Sequence, residues 1–441
     1  MNKQKRKRSR GLVFSHRGWA KLVAKKQIWE DNHKSGKKCT LEDLSEITGL
    51  SYNTVLKIQE RRQGVDKRSL VNFSLAFGLE LNSSDCVSPN SLSKSDFEHH
   101  TEKVNWDEPI ELPSFYGRST ELALLEQWLV EDRCRLVIVR GVGGIGKTAL
   151  CVKLIDRVQH KFDSVIWRSL KKESSFKELL IELLGVLIGK PQAANASNLS
   201  IRNCKQRLLE CLRSQKCLIV LDCLDKTMVG GELCGSYSSE HQDYAHFIKY
   251  IGQTIHNSCL LLITREKPKE ISFIEGKSEP LRSLNLTRLS SQAAREMLSA
   301  SDLLGTQTEQ KQLIDRFHGH PLTLQLVAKE IHHTCDRQIA LFLAQELKVQ
   351  KLQDFWNQYL ERLSCMERKI LSIIADWQKP LSFSTLRREL PASISSKEVI
   401  DSLESLFGRS LIIKKSSAFS ICPQLSTFIY LLKDDKTAKK Y

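Results

Sequence analysis

Between residues 107 and 280 the chain alternates short apolar runs with longer stretches of helical periodicity. The runs 136–139, 164–167, 217–221 and 259–264 are rich in Val, Ile and Leu and too short for helices, so they predict buried strands. Strands separated by helical segments need crossover connections, and the alternation predicts a parallel α/β sheet across 107–284. Residues 285–350 carry helical periodicity alone. Residues 351–435 are helical, including a helix-turn-helix pattern around 395–406, and end in a strand pair, 410–414 and 418–421, around a Lys-Ser-Ser turn. Upstream, 11–82 predicts a small helical domain behind a basic tail at 1–10. Residues 83–106 are rich in Ser, Asn, Asp and His with few apolar groups, which reads as a linker. A short Lys-rich tail occupies 436–441, and no repeat of 20–50 residues is present.

The small helical domain has a recognisable pattern. Thr40-Leu41-Glu42-Asp43 is a capping-box start, the helix stops at Gly49, and Ser51 can cap a second helix over 52–60. Leu44, Leu50, Val55 and Ile58 fall where two crossed helices share a core. Tyr52, Asn53, Thr54 and Lys57 are left on the outer face, with Arg61 and Arg62 following. In a DNA reader such side chains face the major groove while the arginines and tail meet phosphate. The same fold also serves as a protein-binding adaptor, and both readings stay open.

Composition narrows the class. The 441 residues suffice for two to four domains, and 41% hydrophobic with 27% charged residues is ordinary for a soluble globular protein. No apolar run approaches the roughly 18 residues that span a bilayer. The basic N-terminus has no apolar h-region, so it is not a secretory signal. Thirteen cysteines are scattered without C-x-x-C or His/Cys ligand spacing, which points to a reduced, cytoplasmic protein without structural zinc. The net charge of +16 is uneven: residues 1–68 hold 18 Lys and Arg against 7 Asp and Glu. A basic end on a near-neutral body fits a nucleic-acid contact, or a merely solvated tail.

The chemistry concentrates in one octapeptide. Gly141-Val142-Gly143-Gly144-Ile145-Gly146-Lys147-Thr148 matches G-x-x-x-x-G-K-[ST], with a strand before it and a helical run after it. Its glycines let backbone N–H groups converge on phosphate oxygens. Lys147 is placed for the β/γ-phosphates and Thr148 for Mg²⁺. The strand 217–221 runs into Asp222, a carboxylate at the edge where such sheets collect ligands. A further strand delivers Arg265 to the same edge as a γ-phosphate sensor; it can also be an ordinary surface arginine.

With Gly319-His320-Pro321-Leu322 added, the order of motifs resembles the NB-ARC branch of the STAND signal-transduction ATPases. Phe115-Tyr116-Gly117-Arg118 looks like that family's adenine-flanking motif, and Thr264-Arg265 like its sensor arginine. Phrases such as Val165-Ile166-Trp167-Arg168-Ser169-Leu170 and Thr264-Arg265-Glu266-Lys267-Pro268 are similar to prokaryotic members with an N-terminal helix-turn-helix and a C-terminal WD-repeat propeller. The resemblance implies an α/β P-loop NTPase core, an all-α helix-turn-helix domain, a helical domain and a C-terminal winged-helix domain that closes over the nucleotide. It implies ATP/ADP and Mg²⁺ as ligands, with Pro321 on the adenine, and self-association in the ATP state. Three departures modify this. Cys223 stands where most members carry a second acid, leaving Asp225 as the nearest carboxylate and implying slow hydrolysis. Ile421-Cys422-Pro423 replaces a Met-His-Asp motif, which implies a weaker ADP clamp. No propeller follows in this sequence, which implies either a sensor protein supplied in trans or a shortened relative. The rival expectation is a hydrolysis-deficient, ADP-stabilised scaffold; a metabolic phosphotransferase lacks a second-substrate motif.

Overall fold

In the computed structural model, the described residues are 11–33, 39–60, 64–88, 104–107, 110, 112, 114–171, 175–189, 199–271, 280–345, 349–377 and 379–428. They form two units, divided between Lys103 and Val104.

The second unit is built on six parallel strands: β3 (Val104–Trp106), β4 (Leu136–Arg140), β5 (Ser164–Ser169), β6 (Cys217–Asp222), β7 (Cys259–Thr264) and β8 (Leu281–Asn285). Their spatial order is β3-β5-β6-β7-β4-β8. Every residue of β4, β6 and β7 is buried, as a sheet covered by helices on both faces requires. The order makes β6, β7 and β4 neighbours. Registers Arg140↔Thr264 and Leu221↔Leu262 level their carboxyl ends. Odd and even positions feed two separate cores. Val137, Val139, Val220 and Leu261 lie with the helix Lys147–Val158 on one face. Ile138, Ile219, Leu260 and Leu262 lie with the helices Phe176–Ile188 and Gln242–Gln253 on the other.

Beyond the sheet, helices Ser291–Ser299, Gln307–Arg316, Pro321–Thr334 and Ile339–Ala344 follow, as the periodicity of 285–350 anticipates. Then come Gln350–Leu360, Cys365–Trp377, Phe383–Glu389 and Ser396–Gly408. The last of these starts on a capping box in which Ser395 and Glu398 exchange hydrogen bonds. A three-stranded antiparallel sheet closes the unit: β9 (Leu381–Ser382), β10 (Ile412–Lys415) and β11 (Ala418–Ile421), in the order β10-β11-β9.

The first unit holds helices His16–His33, Leu41–Thr48, Tyr52–Glu60 and Lys67–Leu75. Thr40 and Asp43 form the anticipated capping box, and Gly49 closes the helix at φ 65°. That left-handed backbone is one glycine adopts without strain. Leu44, Val55 and Ile58 are buried in a core with Phe14, Leu70 and Phe73. Tyr52, Asn53 and Lys57 are exposed; Thr54 is half-buried, its hydroxyl 2.9 Å from that of Ser51. Arg61, Arg62 and the tail 1–10 lie outside the described residues.

Three sequence expectations need correction. The stretch 83–106 is not linker throughout. β2 (Cys86–Val87) pairs with β1 (Val13–Phe14), and buried Asp85 accepts a charged hydrogen bond from Lys21 at 2.9 Å. At the other end, β3 is the edge strand beside β5, its Trp106 ring 5.0 Å from that of Trp167. Two- and three-residue strands are too short for alternation to register. β8 was also invisible, because Leu-Arg-Ser-Leu-Asn is an edge strand with polar groups on it. The final hairpin starts at Ile412 rather than at 410, because Ser410 has left-handed backbone, φ 60°.

Ile219→Ala on the central strand should cost about 2–5 kcal/mol, whereas Ile255→Ala, at a side chain 79% exposed, should stay within about 0.5 kcal/mol. Urea denaturation of the full chain followed by tryptophan fluorescence checks both.

Candidate nucleotide site

A cavity of about 420 Å³ opens at the carboxyl edge of β4, β6 and β7. β4 delivers the chain into the loop 141–146, which turns directly into the helix Lys147–Val158 with Gly146 at φ 99°. Gly144, Ile145, Gly146, Lys147 and Thr148 line the cavity. The other predicted glycines serve it indirectly. A Cβ on Gly141 would stand 2.6 Å from the Leu286 carbonyl, one on Gly117 would stand 2.6 Å from the Ala293 side chain, and one on Gly143 would stand 2.8 Å from the Phe355 ring. Each is a close approach that only glycine permits.

Lys147 is buried, its ammonium donating to the carbonyls of Gly141 and Val142 at 2.9 and 3.0 Å. Burial draws its pKa down to about 8, partly opposed by Asp225. A polyphosphate would add the negative charge that this desolvated cation lacks. The Thr148 hydroxyl donates to Asp222 Oδ2 at 3.1 Å, and the other carboxylate oxygen accepts the Cys223 N–H at 2.7 Å. Burial raises the Asp222 pKa. A hydroxyl and a carboxylate already in contact are hard oxygen donors, and their pairing fits Mg²⁺ held jointly with phosphate.

Cys223 sits at the cavity with left-handed backbone, φ 61°. Burial and the carboxylates on either side push its thiol up to about 12. Asp225, buried, accepts the Arg265 N–H at 3.0 Å, with the guanidinium Nε 3.8 Å from its other oxygen. Arg265 lines the cavity, so the strand it follows does bring it to the phosphate end. Lys171, at the exit of β5, joins the same wall.

The cavity also has apolar lining: Leu112, Phe115, Tyr116, Met297, Pro321 and Leu322. Such a wall suits a flat base. Arg118 lines it too, but its guanidinium is spent on Glu121 and the carbonyls of Ile145, Thr287 and Arg288. It braces the P-loop against the 287–288 segment. Cys422 is buried and does not line the cavity.

His320 escaped the sequence reading except as the variable residue of its motif. Its Nδ1 accepts the Thr323 N–H at 3.2 Å, which leaves Nε2 as the donor to the Gly143 carbonyl at 2.9 Å. Burial lowers its pKa to about 4, so it is neutral. With the Leu322 N–H on the Gly144 carbonyl at 3.3 Å, it stitches the helix Pro321–Thr334 to the P-loop. No local pattern reports a bond spanning 177 residues.

Residues 118–244 match the NB-ARC domain, and the match takes in both the P-loop and Asp222. These residues of the chain therefore carry an NB-ARC domain. The chain is 35% identical over 341 residues to an uncharacterized WD repeat-containing protein of Nostoc sp., a match covering 74% of this chain and 27% of that protein. The chain thus spans about a quarter of that relative's length. A putative disease resistance protein of Arabidopsis thaliana is 31% identical over 139 residues, 31% of this chain and 15% of the relative. Among solved structures, a STAND protein with a tetratricopeptide repeat sensor from Pyrococcus horikoshii aligns at TM-score 0.42 and 18% identity, covering 74% of this chain and 44% of that one. A Walker-type ATPase of Pyrococcus abyssi aligns at TM-score 0.48 and 16% identity, covering 72% of this chain and 96% of that one.

Lys147→Ala should weaken ATP binding about tenfold or more by removing a charge-assisted contact to phosphate. The wild type carries a built-in pH dependence with a definite sign. Phosphate favours the protonated amine, and the amine of the free protein loses its proton near pH 8. Affinity should therefore hold below pH 8 and fall about tenfold between pH 7 and 9, a fall that Lys147→Ala should abolish. Calorimetric titration with Mg-ATP across that range checks both.

Proposed function

We propose that this chain is an ADP/ATP-dependent molecular switch of the signal-transduction type, closed with ADP and open and self-associating with ATP. The observation that carries the reading is that Lys147, Thr148 and Asp222 line one cavity together with apolar side chains. The P-loop N–H groups and Lys147 bind the phosphates, and Pro321 and Phe115 flank the adenine. Arg265 reads the γ-phosphate. Thr148 and Asp222 would hold Mg²⁺, which would supply neutralisation of phosphate charge. The nucleotide-binding part is 107–284, the helical part 285–350 and a winged-helix part 351–435. A cytoplasmic location completes the proposal. Among the described residues no helix is long and apolar enough to cross a membrane.

Hydrolysis is slow in this reading. A thiol pushed up to about 12 is no general base at neutral pH, and Asp225 is engaged with Arg265. The same observation favours the rival, an ADP-stabilised scaffold that hydrolyses nothing. Cys223→Asp separates them, and the left-handed backbone there tolerates aspartate. We expect wild-type phosphate release to be slow but measurable and to rise about tenfold or more in the variant, in the range that general-base assistance gives. Zero release from both proteins supports the scaffold. Brisk wild-type turnover, unchanged in the variant, moves the base role to Asp225.

Output through residues 11–82 rests on the exposed Tyr52, Asn53 and Lys57 of the second crossed helix. Duplex DNA is the partner we propose, with Thr54 beside that face and Arg61 and Arg62 following the helix in sequence. Binding of the full chain should weaken steeply with salt, each neutralised phosphate adding about −0.9 to the slope of log K against log[salt]. Lys57→Ala should reduce discrimination between sequences, whereas deleting 3–10 should weaken all of them alike. No mobility shift at about 50 mM salt and micromolar protein, conditions under which even non-specific binding registers, would favour the protein-adaptor reading.

A further inference from the structure

The residue after the sensor arginine is tied to the far end of the unit. At the end of β7 the Thr264 hydroxyl donates to the Glu266 carbonyl at 2.8 Å and accepts the Glu266 N–H at 3.1 Å. This tight turn leaves Arg265 at the cavity and buries Glu266. One oxygen of Glu266 meets Arg409 Nη1 at 2.6 Å and Arg362 Nε at 2.8 Å. Arg409 Nε continues to Glu367 at 3.0 Å, and Glu367 also accepts the Ser405 hydroxyl. Glu266, Glu367 and Arg409 are almost wholly buried.

The cluster also grips the other wall of the phosphate end. Arg362 Nη2 donates to the carbonyls of Asp225 and Met228, both at 3.1 Å, and the Asp225 carboxylate is the group that accepts the Arg265 N–H. Arg409 Nη2 holds the Glu232 carbonyl at 2.7 Å. Arg362, Glu367 and Arg409, all after Leu360, therefore hold Glu266, the neighbour of Arg265, and the backbone of Asp225. Buried ion pairs add little stability over apolar packing, and registration and switching are their best-attested uses.

We propose that this cluster couples the γ-phosphate end of the cavity to the helices Cys365–Trp377 and Ser396–Gly408, with Arg362 as the positioning residue. The proposal rests on the nucleotide reading of the cavity. A phosphate that draws Arg265 away from Asp225 moves the Asp225 carbonyl and Glu266 against Arg362 and Arg409. In a low-dielectric setting a half-broken cluster is disfavoured, so it is either formed or released into water.

The test is a mutant cycle on the full chain, read as the ratio of ATP to ADP dissociation constants. Arg362→Met, at a side chain 24% exposed, should shift that ratio about fivefold or more, the lower end of measured couplings between sites. In an Arg265→Ala background the same substitution should shift it no further. Arg362→Lys keeps the charge but not the fork to the two carbonyls, and should behave like Met rather than wild type. Arg409→Met provides a second arm with the same expected shift. An unchanged ratio in the folded Arg362 variants, or an equal shift with and without Arg265, would overturn the coupling. Lys147→Ala weakens both nucleotides, so loss of the site is distinguishable from loss of coupling; a wild-type chain that binds neither nucleotide overturns the site reading and the coupling with it.

Discussion

Three strands must finish at one level for any of this chemistry to exist. β4 ends in the P-loop, β6 in Asp222 and β7 in Thr264, and only the order β6-β7-β4 sets these ends side by side. The parallel registers, Arg140 against Thr264 and Leu221 against Leu262, keep them aligned. Both faces of the three strands are buried, so a one-residue slip would turn each apolar set toward the wrong core. The hydrophobic effect thus fixes, at the level of the sheet, the distance between a threonine hydroxyl and an aspartate.

Electrostatics takes over at that edge. Lys147 is desolvated and held by backbone carbonyls, Asp222 is desolvated and held by Thr148, and Asp225 is tied to Arg265. The cations and carboxylates hold fixed positions, and a polyphosphate with a divalent ion would complete the balance. Neutral His320 and braced Arg118 also hold the loop, the first through the Gly143 carbonyl and the second through that of Ile145. The preorganisation lies in the scaffold, which is where binding sites are held with least entropy loss.

Much of the core was legible because its signals are local. A glycine octapeptide between a strand and a helix, a buried strand ending in Asp222, and a capping box at Thr40 each declare themselves within a few residues. What could not be read was pairing. β3 and β8 are edge strands with polar positions, identifiable only once β5 and β4 are beside them. Glu266, Arg362, Glu367 and Arg409 look like solvated surface charges in sequence, since charged residues are rarely buried. Folding brings them together and out of water. The role of Gly143 was half visible: glycine there admits the Phe355 ring, and Phe355 lies more than two hundred residues on.

The central claim is that this edge holds an adenine nucleotide. Its most direct test is to denature the purified full chain and identify, by ion-exchange chromatography, whatever nucleotide it releases. The account predicts close to one adenine nucleotide per chain, chiefly ADP, and its loss from the Lys147→Ala protein. A wild-type chain that releases none, and that takes up none when offered Mg-ATP or Mg-ADP, would contradict it.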